Sequence, residues 1–152
     1  MDFYIRSAQA EIYGSKDYPE IKGYAKFTST NKGTLVTIAV SGLPYKGEFC
    51  TNPFFAVHIH SGDVCVGNYD DSFASVGVHY NPRNCPHPCH AGDLPPLMSV
   101  KGRAAMSVMT DNFTVSEITG KTIVIHSDAD DFTAQPAGNS GVKIACGEIK
   151  EV

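Results

Sequence analysis

The sequence predicts an all-β protein, a sandwich or barrel of short strands. Two observations support this fold class. Short runs rich in β-branched and aromatic residues alternate with clusters of turn-forming residues, and helical periodicity is nearly absent. The chain has 152 residues, which is enough for one domain with a sizeable core. It contains no internal repeat, low-complexity tract or linker, so we expect residues 1–152 to form a single domain.

Eight segments have the composition and spacing of β-strands. They are Phe3–Ile12, Ile21–Thr28, Thr34–Ser41, Phe55–His60, Leu97–Val100, Arg103–Met109, Thr122–His126 and Lys143–Ile149. The third segment shows a period-two pattern, in which the side chains of one face are Thr34, Val36, Ile38 and Val40.

The connections between these strands differ in length. Asn31 and Gly33 in STNKGT predict a hairpin turn, and SEITG, residues 116–120, predicts one helical turn ended by glycine. Two long segments, Ser61–Pro96 and Ser127–Val142, contain no predicted strand. Loops of that length in a compact domain usually carry function, so we expect the functional site there.

Composition excludes several classes of partner and leaves the compartment open. Twelve Lys and Arg against sixteen Asp and Glu give a formal charge of −4, which argues against nucleic acid as a partner. No apolar run is long enough to span a membrane, and the first residues lack the pattern of a secretory signal. We expect a cytoplasmic protein if Met1 is native, and a periplasmic or extracellular one if a signal peptide was removed.

The histidines in FFAVHIH give the first indication of chemistry. Alternate residues of a strand share a face, so His58 and His60 project together while Val57 and Ile59 point into the core. The two imidazoles therefore lie on the outer face of the sheet, where the long loops could cover them. Taken alone, this pair is equally consistent with two surface histidines.

The other four histidines favour a metal site. IVIHSDADD places His126 at the end of an apolar strand, and VHYNPRNCPHPCHAGD, residues 78–93, holds three more. Imidazole is a favoured ligand of both zinc and copper, and a carboxylate completes many zinc sites. Three prolines make regular structure improbable in residues 78–93. We therefore expect metal ligation to hold this segment in place.

Five motifs carry a resemblance to a known family. FAVHIHSGDVC, GVHYNP, HAGDLPPL, IVIHSDADD and GNSGVKIACGEI occur in the order found in copper/zinc superoxide dismutases, and the chain resembles the bacterial type over most of its length. The resemblance implies an eight-stranded Greek-key β-barrel with an external metal site. It also implies the dismutation of superoxide to oxygen and hydrogen peroxide, copper and zinc as cofactors, and a monomer or homodimer.

The resemblance also implies the roles of individual residues. The copper ligands would be His58, His60, His79 and His126. The zinc ligands would be His79, His87, His90 and Asp93. His79 would bridge the two metals and serve as a catalytic residue. Asp130 corresponds to a family carboxylate that hydrogen-bonds one histidine of each set, here His58 and His87.

The chain departs from the family pattern at two places. His87 and His90 are three residues apart, where the family usually has a longer glycine-rich excursion. Lys143 takes the place of a family arginine that guides superoxide to copper. Lysine keeps the positive charge and loses the planar guanidinium fork, so we expect retained but altered activity.

The five cysteines have different expected states. Cys65 and Cys146 match the family's intramolecular disulfide. Cys85 and Cys89 are not family ligands and could form a second disulfide, bind zinc as thiolates or stay free, of which we favour the disulfide. Cys50 is left over, and we expect a partly buried free thiol.

Two other functions are compatible with the same fold. One is a copper carrier or metal buffer, and the other is a zinc-stabilised domain without catalytic activity. Carrier-type domains commonly lack part of the copper set, whereas this chain keeps all four candidate ligands. Metal content measured together with dismutation activity separates the three functions.

Overall fold

The computed structural model describes residues 5–152. The start of the first predicted strand, at Phe3, lies outside the described residues. The described strands are β1 (Ser7–Gly14), β2 (Lys22–Thr30), β3 (Gly33–Ser41), β4 (Phe54–Phe55), β5 (Val57–His60), β6 (Leu97–Met98), β7 (Ala104–Thr110), β8 (Thr122–His126), β9 (Lys143–Glu148) and β10 (Lys150–Glu151). A short 3-10 helix (Ala74–Val76) and the helix α1 (Val115–Ile118) complete the regular structure.

Eight of these strands form one antiparallel sheet. Their order is β5-β8-β9-β1-β2-β3-β7, and β10 pairs with β1. The strands β4 and β6 pair separately. The order places strands that are distant in sequence side by side, as β1 and β9 are, and the curled sheet fits a Greek-key β-barrel. The predicted all-β fold class is confirmed.

Most predicted strands agree with the observed ones to within a few residues, and β8 agrees at both ends. The predicted strand Phe55–His60 is divided at Ala56. This residue leaves the ladder because its N–H donates to the carbonyl of Asp128 and its carbonyl accepts from the N–H of His126. The division brings the start of the second long loop directly against β5.

The predicted turns are present with small shifts. Asn31 and Lys32 form the two-residue turn of the hairpin, since Thr30 pairs with Gly33 at the start of β3. The helical turn begins at Val115, one residue before the predicted segment. Its N-terminus is fixed by a capping box between Thr114 and Glu117.

The core lies inside the curled sheet, on its inner face. The buried face of β3 consists of Thr34, Val36, Ile38 and Val40, as the period-two pattern predicted. Each fully buried isoleucine of such a core contributes about 1.5–3 kcal/mol relative to an exposed side chain. Val57 and Ile59 belong to the same core, which directs the alternate residues of β5 outward.

The first long loop is attached to the outer face of the sheet. The predicted disulfide between Cys65 and Cys146 is present and joins positions 81 residues apart. Phe73, Val76 and Val124 pack with the two half-cystines in a small apolar cluster. Among the described residues, no helix has the length and apolar character that crossing a membrane requires.

Replacing both half-cystines by alanine should destabilise the protein by about 4 kcal/mol, because the disulfide restricts an unfolded loop of this length. Urea unfolding of metal-free protein, compared with the wild type under oxidising conditions, measures the difference. Cys50→Ala is the matched control, since Cys50 is a free and exposed thiol. An unchanged unfolding midpoint in the double variant would show that the disulfide does not stabilise the fold.

Candidate metal centre

Two paired strands and one loop bring the predicted copper ligands together. His58 and His60 project from β5, and His126 ends the neighbouring β8. His79 comes from the first long loop, and an isolated antiparallel β-bridge between its backbone and that of His60 holds it there. All four residues are buried, and one ring nitrogen from each lies within 4.8 Å of the others.

The predicted zinc ligands lie beside this group. His79 Nδ1 is 3.1 Å from His90 Nδ1 and 2.9 Å from Asp93 Oδ1. Asp93 Oδ2 is 3.0 Å from His87 Nδ1 and 3.4 Å from His90 Nδ1. At this end, the group whose ligand atoms all lie within 4.8 Å of one another consists of His58, His79, His87 and Asp93, so it contains His58 and not the predicted ligand His90. The two groups therefore share side chains and form one continuous cluster.

Although only two residues separate His87 from His90, both side chains reach Asp93, because two successive turns fold the segment. The N–H of Cys89 donates to the carbonyl of Pro86, and the N–H of Asp93 donates to the carbonyl of His90. The side chain of Asp93 also accepts from the N–H of His90 at 3.0 Å. These bonds give the segment a fixed shape without strand pairing.

Gln135 is a site residue that sequence reasoning missed. Its Oε1 accepts from the N–H of His87 at 2.9 Å, and its Nε2 donates to the carbonyl of His87 at 2.7 Å. The second long loop therefore holds the backbone of the first one at a candidate ligand. A glutamine in a loop carries no recognisable signal of this role, so only the structure reveals it.

Asp130 joins the two groups from the second long loop. Its Oδ2 is 2.8 Å from His58 Nε2, and its Oδ1 is 2.7 Å from His87 Nε2. A carboxylate only accepts, so each imidazole donates its N–H from Nε2 and keeps the lone pair on Nδ1. Gly138 is required here, because a Cβ at that position would lie 2.0 Å from Asp130 Oδ1.

The chemistry of these nitrogens fits bound cations. Among the described residues, four buried ring nitrogens have no hydrogen-bond partner: His58 Nδ1, His79 Nε2, His87 Nδ1 and His126 Nδ1. His87 Nδ1 is close to Asp93 without the alignment of a hydrogen bond. Two of these atoms are the lone-pair nitrogens that Asp130 selects. Buried polar atoms are rarely left unpaired, and coordination of a metal would satisfy His58 Nδ1, His79 Nε2 and His87 Nδ1.

Burial also keeps the imidazoles in the form that binds metal. Desolvation by burial lowers the pKa of His58 to about 2 and the pKa values of His60 and His126 to about 3. Burial alone would raise the pKa of Asp93, but the hydrogen bond with His79 and the neighbouring imidazoles lower it overall. At neutral pH His58, His60 and His126 are therefore neutral imidazoles, and Asp93 is an ionised carboxylate.

The histidine cluster opens into a cleft of about 620 Å³. Its lining includes His60, His79, His126 and Lys143. The Nζ atom of Lys143 is 2.6 Å from Asp71 Oδ2. The structure therefore places the predicted guiding lysine beside the candidate copper ligands.

The remaining cysteines differ from two expectations. The second disulfide is not formed in the structure, since Cys85 and Cys89 are both free thiols. The side chain of Asn81 bonds both the N–H and the carbonyl of Cys85 and holds its backbone. Cys50 is free as expected but exposed rather than partly buried, because it lies in the uncovered loop between β3 and β4.

A β-barrel that carries a buried histidine and carboxylate cluster on its outer face defines a metalloprotein. Residues 21–149 match the model of the family described as copper/zinc superoxide dismutase. The chain therefore belongs to the copper/zinc superoxide dismutase family.

Individual relatives agree with this membership. The chain is 32% identical to superoxide dismutase [Cu-Zn] 2 of Aquifex aeolicus, over 94% of this chain and 86% of that protein. It is also 32% identical to superoxide dismutase [Cu-Zn] of Deinococcus radiodurans, over 88% of this chain and 79% of that protein. The solved Cu/Zn superoxide dismutase from Brucella abortus has the same fold, with a TM-score of 0.78, 23% identity and coverage of 93% and 98%.

Proposed function

We propose that this protein is a copper/zinc superoxide dismutase, which converts two superoxide anions and two protons into oxygen and hydrogen peroxide. The observation that carries the proposal is the position of His79. Its side chain belongs to both groups of candidate ligands, with Nδ1 beside His90 and Asp93 and with Nε2 buried and unpaired. Membership of the family supports the same activity.

We assign four residues to each metal. The proposed copper ligands are His58, His60, His79 and His126. The proposed zinc ligands are His79, His87, His90 and Asp93. The ring nitrogens of His60 and His126 are 3.3 Å apart and those of His79 and His90 are 3.1 Å apart, which supports placing each pair in one set. When bound, copper supplies one-electron redox chemistry, and zinc supplies charge without redox chemistry.

The protein residues have distinct tasks in this scheme. His79 holds a proton at Nε2 in one half of the cycle and delivers it to the peroxide that forms in the cleft. It then recovers a proton from solvent, and a second solvent proton completes hydrogen peroxide. Asp130 fixes the rings of His58 and His87 through its two hydrogen bonds. The rings need no reorganisation when the charge of the site changes.

Attraction of the substrate is the proposed task of Lys143. Superoxide is an anion and the chain has a formal charge of −4, so the attraction must be local, a principle for which superoxide dismutases are a standard example. Lys143 lines the same cleft as His60 and His126. Its ammonium group supplies positive charge where the substrate enters.

We propose that one domain, residues 1–152, performs this function. The pairing of β1 with β10 supports this, because the first and last described strands lie in the same sheet. All proposed ligands come from one chain, so a monomer and a homodimer would both carry a complete site. Superoxide is the proposed small-molecule substrate.

Reconstitution with copper and zinc tests the proposal, and His126→Ala sharpens it. The wild type should bind one ion of each metal and dismutate superoxide. His126→Ala should lose copper and activity while it keeps zinc, because His126 is outside the zinc set. His90→Ala is the matched reciprocal change and should weaken zinc binding more than copper binding, because His90 is outside the copper set. Metal analysis and a dismutation assay on the same samples give the readout.

Three outcomes of that experiment would contradict the proposal or its copper assignment. Bound copper without dismutation in the wild type would indicate a copper carrier, and failure to take up copper would indicate a zinc-stabilised domain without redox activity. Full activity in copper-loaded His126→Ala would show that the copper assignment is wrong.

Lys143→Ala should lower kcat/KM on the order of 3- to 10-fold at low ionic strength and flatten its salt dependence, because the local attraction is lost. Lys143→Arg should retain activity, since the charge stays. Lys150→Ala makes the same change of charge at an exposed lysine paired with Glu148 and serves as the control. The guiding role is wrong if Lys143→Ala changes neither the rate nor its dependence on salt.

A further inference from the structure

We infer that Asp71 is a positioning residue that holds the ammonium group of Lys143 in an ion pair and thereby moderates the attraction of superoxide into the cleft. This inference rests on the proposed function. It goes beyond that function because it assigns the control of substrate attraction to a second residue of opposite charge.

The contact between the two side chains is direct. Lys143 Nζ donates to Asp71 Oδ2 at 2.6 Å, across 72 residues of sequence. The lysine side chain is 20% exposed and the aspartate side chain 38% exposed, so solvent reaches both groups from the cleft. The pair therefore lies where an incoming anion would meet it.

Asp71 is itself held in place. Its other carboxylate oxygen, Oδ1, accepts from the N–H of Phe73 at 2.9 Å. Its backbone N–H donates to the side chain of Asn68, and its carbonyl accepts from the N–H groups of Asn68 and Ala74. Both carboxylate oxygens are thus engaged, and the ammonium is held by a fixed partner.

The loop that carries Asp71 is attached to the strand that carries Lys143. The disulfide between Cys65 and Cys146 joins this loop to β9, three residues beyond Lys143. The N–H of Cys65 also donates to the side chain of Glu148 on the same strand. The loop and β9 are therefore connected twice, by the disulfide and by the ion pair between Asp71 and Lys143.

The charge of the pair determines what the substrate experiences. Among the described residues that line the cleft, Lys143 is the single Lys or Arg, whereas Asp17, Asp70 and Asp71 are acidic. Burial would raise the pKa of Asp71, but the hydrogen bond from Lys143 lowers it overall, so the carboxylate is ionised. Two opposite charges in contact act on a distant anion as a dipole, which attracts it less than a free ammonium would.

Asp71→Asn is the test, because asparagine keeps the shape and one carbonyl oxygen but loses the charge. With copper and zinc bound, kcat/KM for superoxide should rise about 2- to 5-fold at low ionic strength and approach the wild-type value at high salt. Asp70→Asn is the matched control, since it removes the same charge from the adjacent residue of the cleft. It should have a smaller effect, because Asp70 does not contact Lys143.

Two further variants test whether the effect passes through Lys143. When both substitutions are made in a Lys143→Gln background, Asp71→Asn should raise kcat/KM no more than Asp70→Asn does. Asp71→Ala, which removes the side chain, should change kcat/KM in the same direction as Asp71→Asn. A purely structural role of Asp71 would lower the rate in both Asp71 variants and would not depend on Lys143.

A measurement without catalysis reports on the ion pair itself. Acylation of lysine amines, followed by peptide mass spectrometry, should label Lys143 faster in Asp71→Asn than in the wild type. Lys150 provides the internal control in the same digest.

The outcomes separate the two proposals. An active wild type in which Asp71→Asn leaves kcat/KM unchanged or lower would overturn the role of Asp71 alone. A fully metal-loaded wild type without dismutation would overturn the proposed function and this inference with it. Equal labelling of Lys143 in wild type and Asp71→Asn would show that the ion pair does not hold the lysine.

Discussion

The two hydrogen bonds of Asp130 are the interaction on which the whole site depends. One carboxylate contacts His58 on the barrel and His87 in a loop, and in both rings it leaves Nδ1 as the atom with the lone pair. A single buried residue therefore orients a ligand in each proposed metal set. Without it, the two rings could adopt either tautomer, and the loops would lose a shared attachment.

The barrel and the loops contribute different things to this arrangement. The barrel supplies rigidity. The alternation of β5 buries Ile59 in the core and directs His58 and His60 outward, and the pairing of β5 with β8 fixes the strand that carries them. The loops supply cover, which removes the imidazoles from water and keeps them neutral. The disulfide and Gln135 then fix the loops where regular hydrogen-bonded structure is absent.

The sequence predicted the features that depend on local patterns. The period-two pattern around Val36 gave the buried face of β3, and the alternation in FFAVHIH gave the outward direction of the histidines. The sequence could not predict contacts between distant loops, such as Gln135 with His87 or Lys143 with Asp71, because no local pattern encodes a pair formed only in three dimensions. The break at Ala56 was missed for the same reason, since its partner is a residue of the second long loop.

In the proposed site, His79 joins two adjacent sets of ligands, one for each metal. Crystals of protein loaded with copper and zinc, measured at the absorption edges of both elements, test it most directly. We expect a copper peak among His58, His60 and His126, a separate zinc peak among His87, His90 and Asp93, and the His79 ring between the two. A single metal position, or zinc bound by the thiols of Cys85 and Cys89, would contradict it.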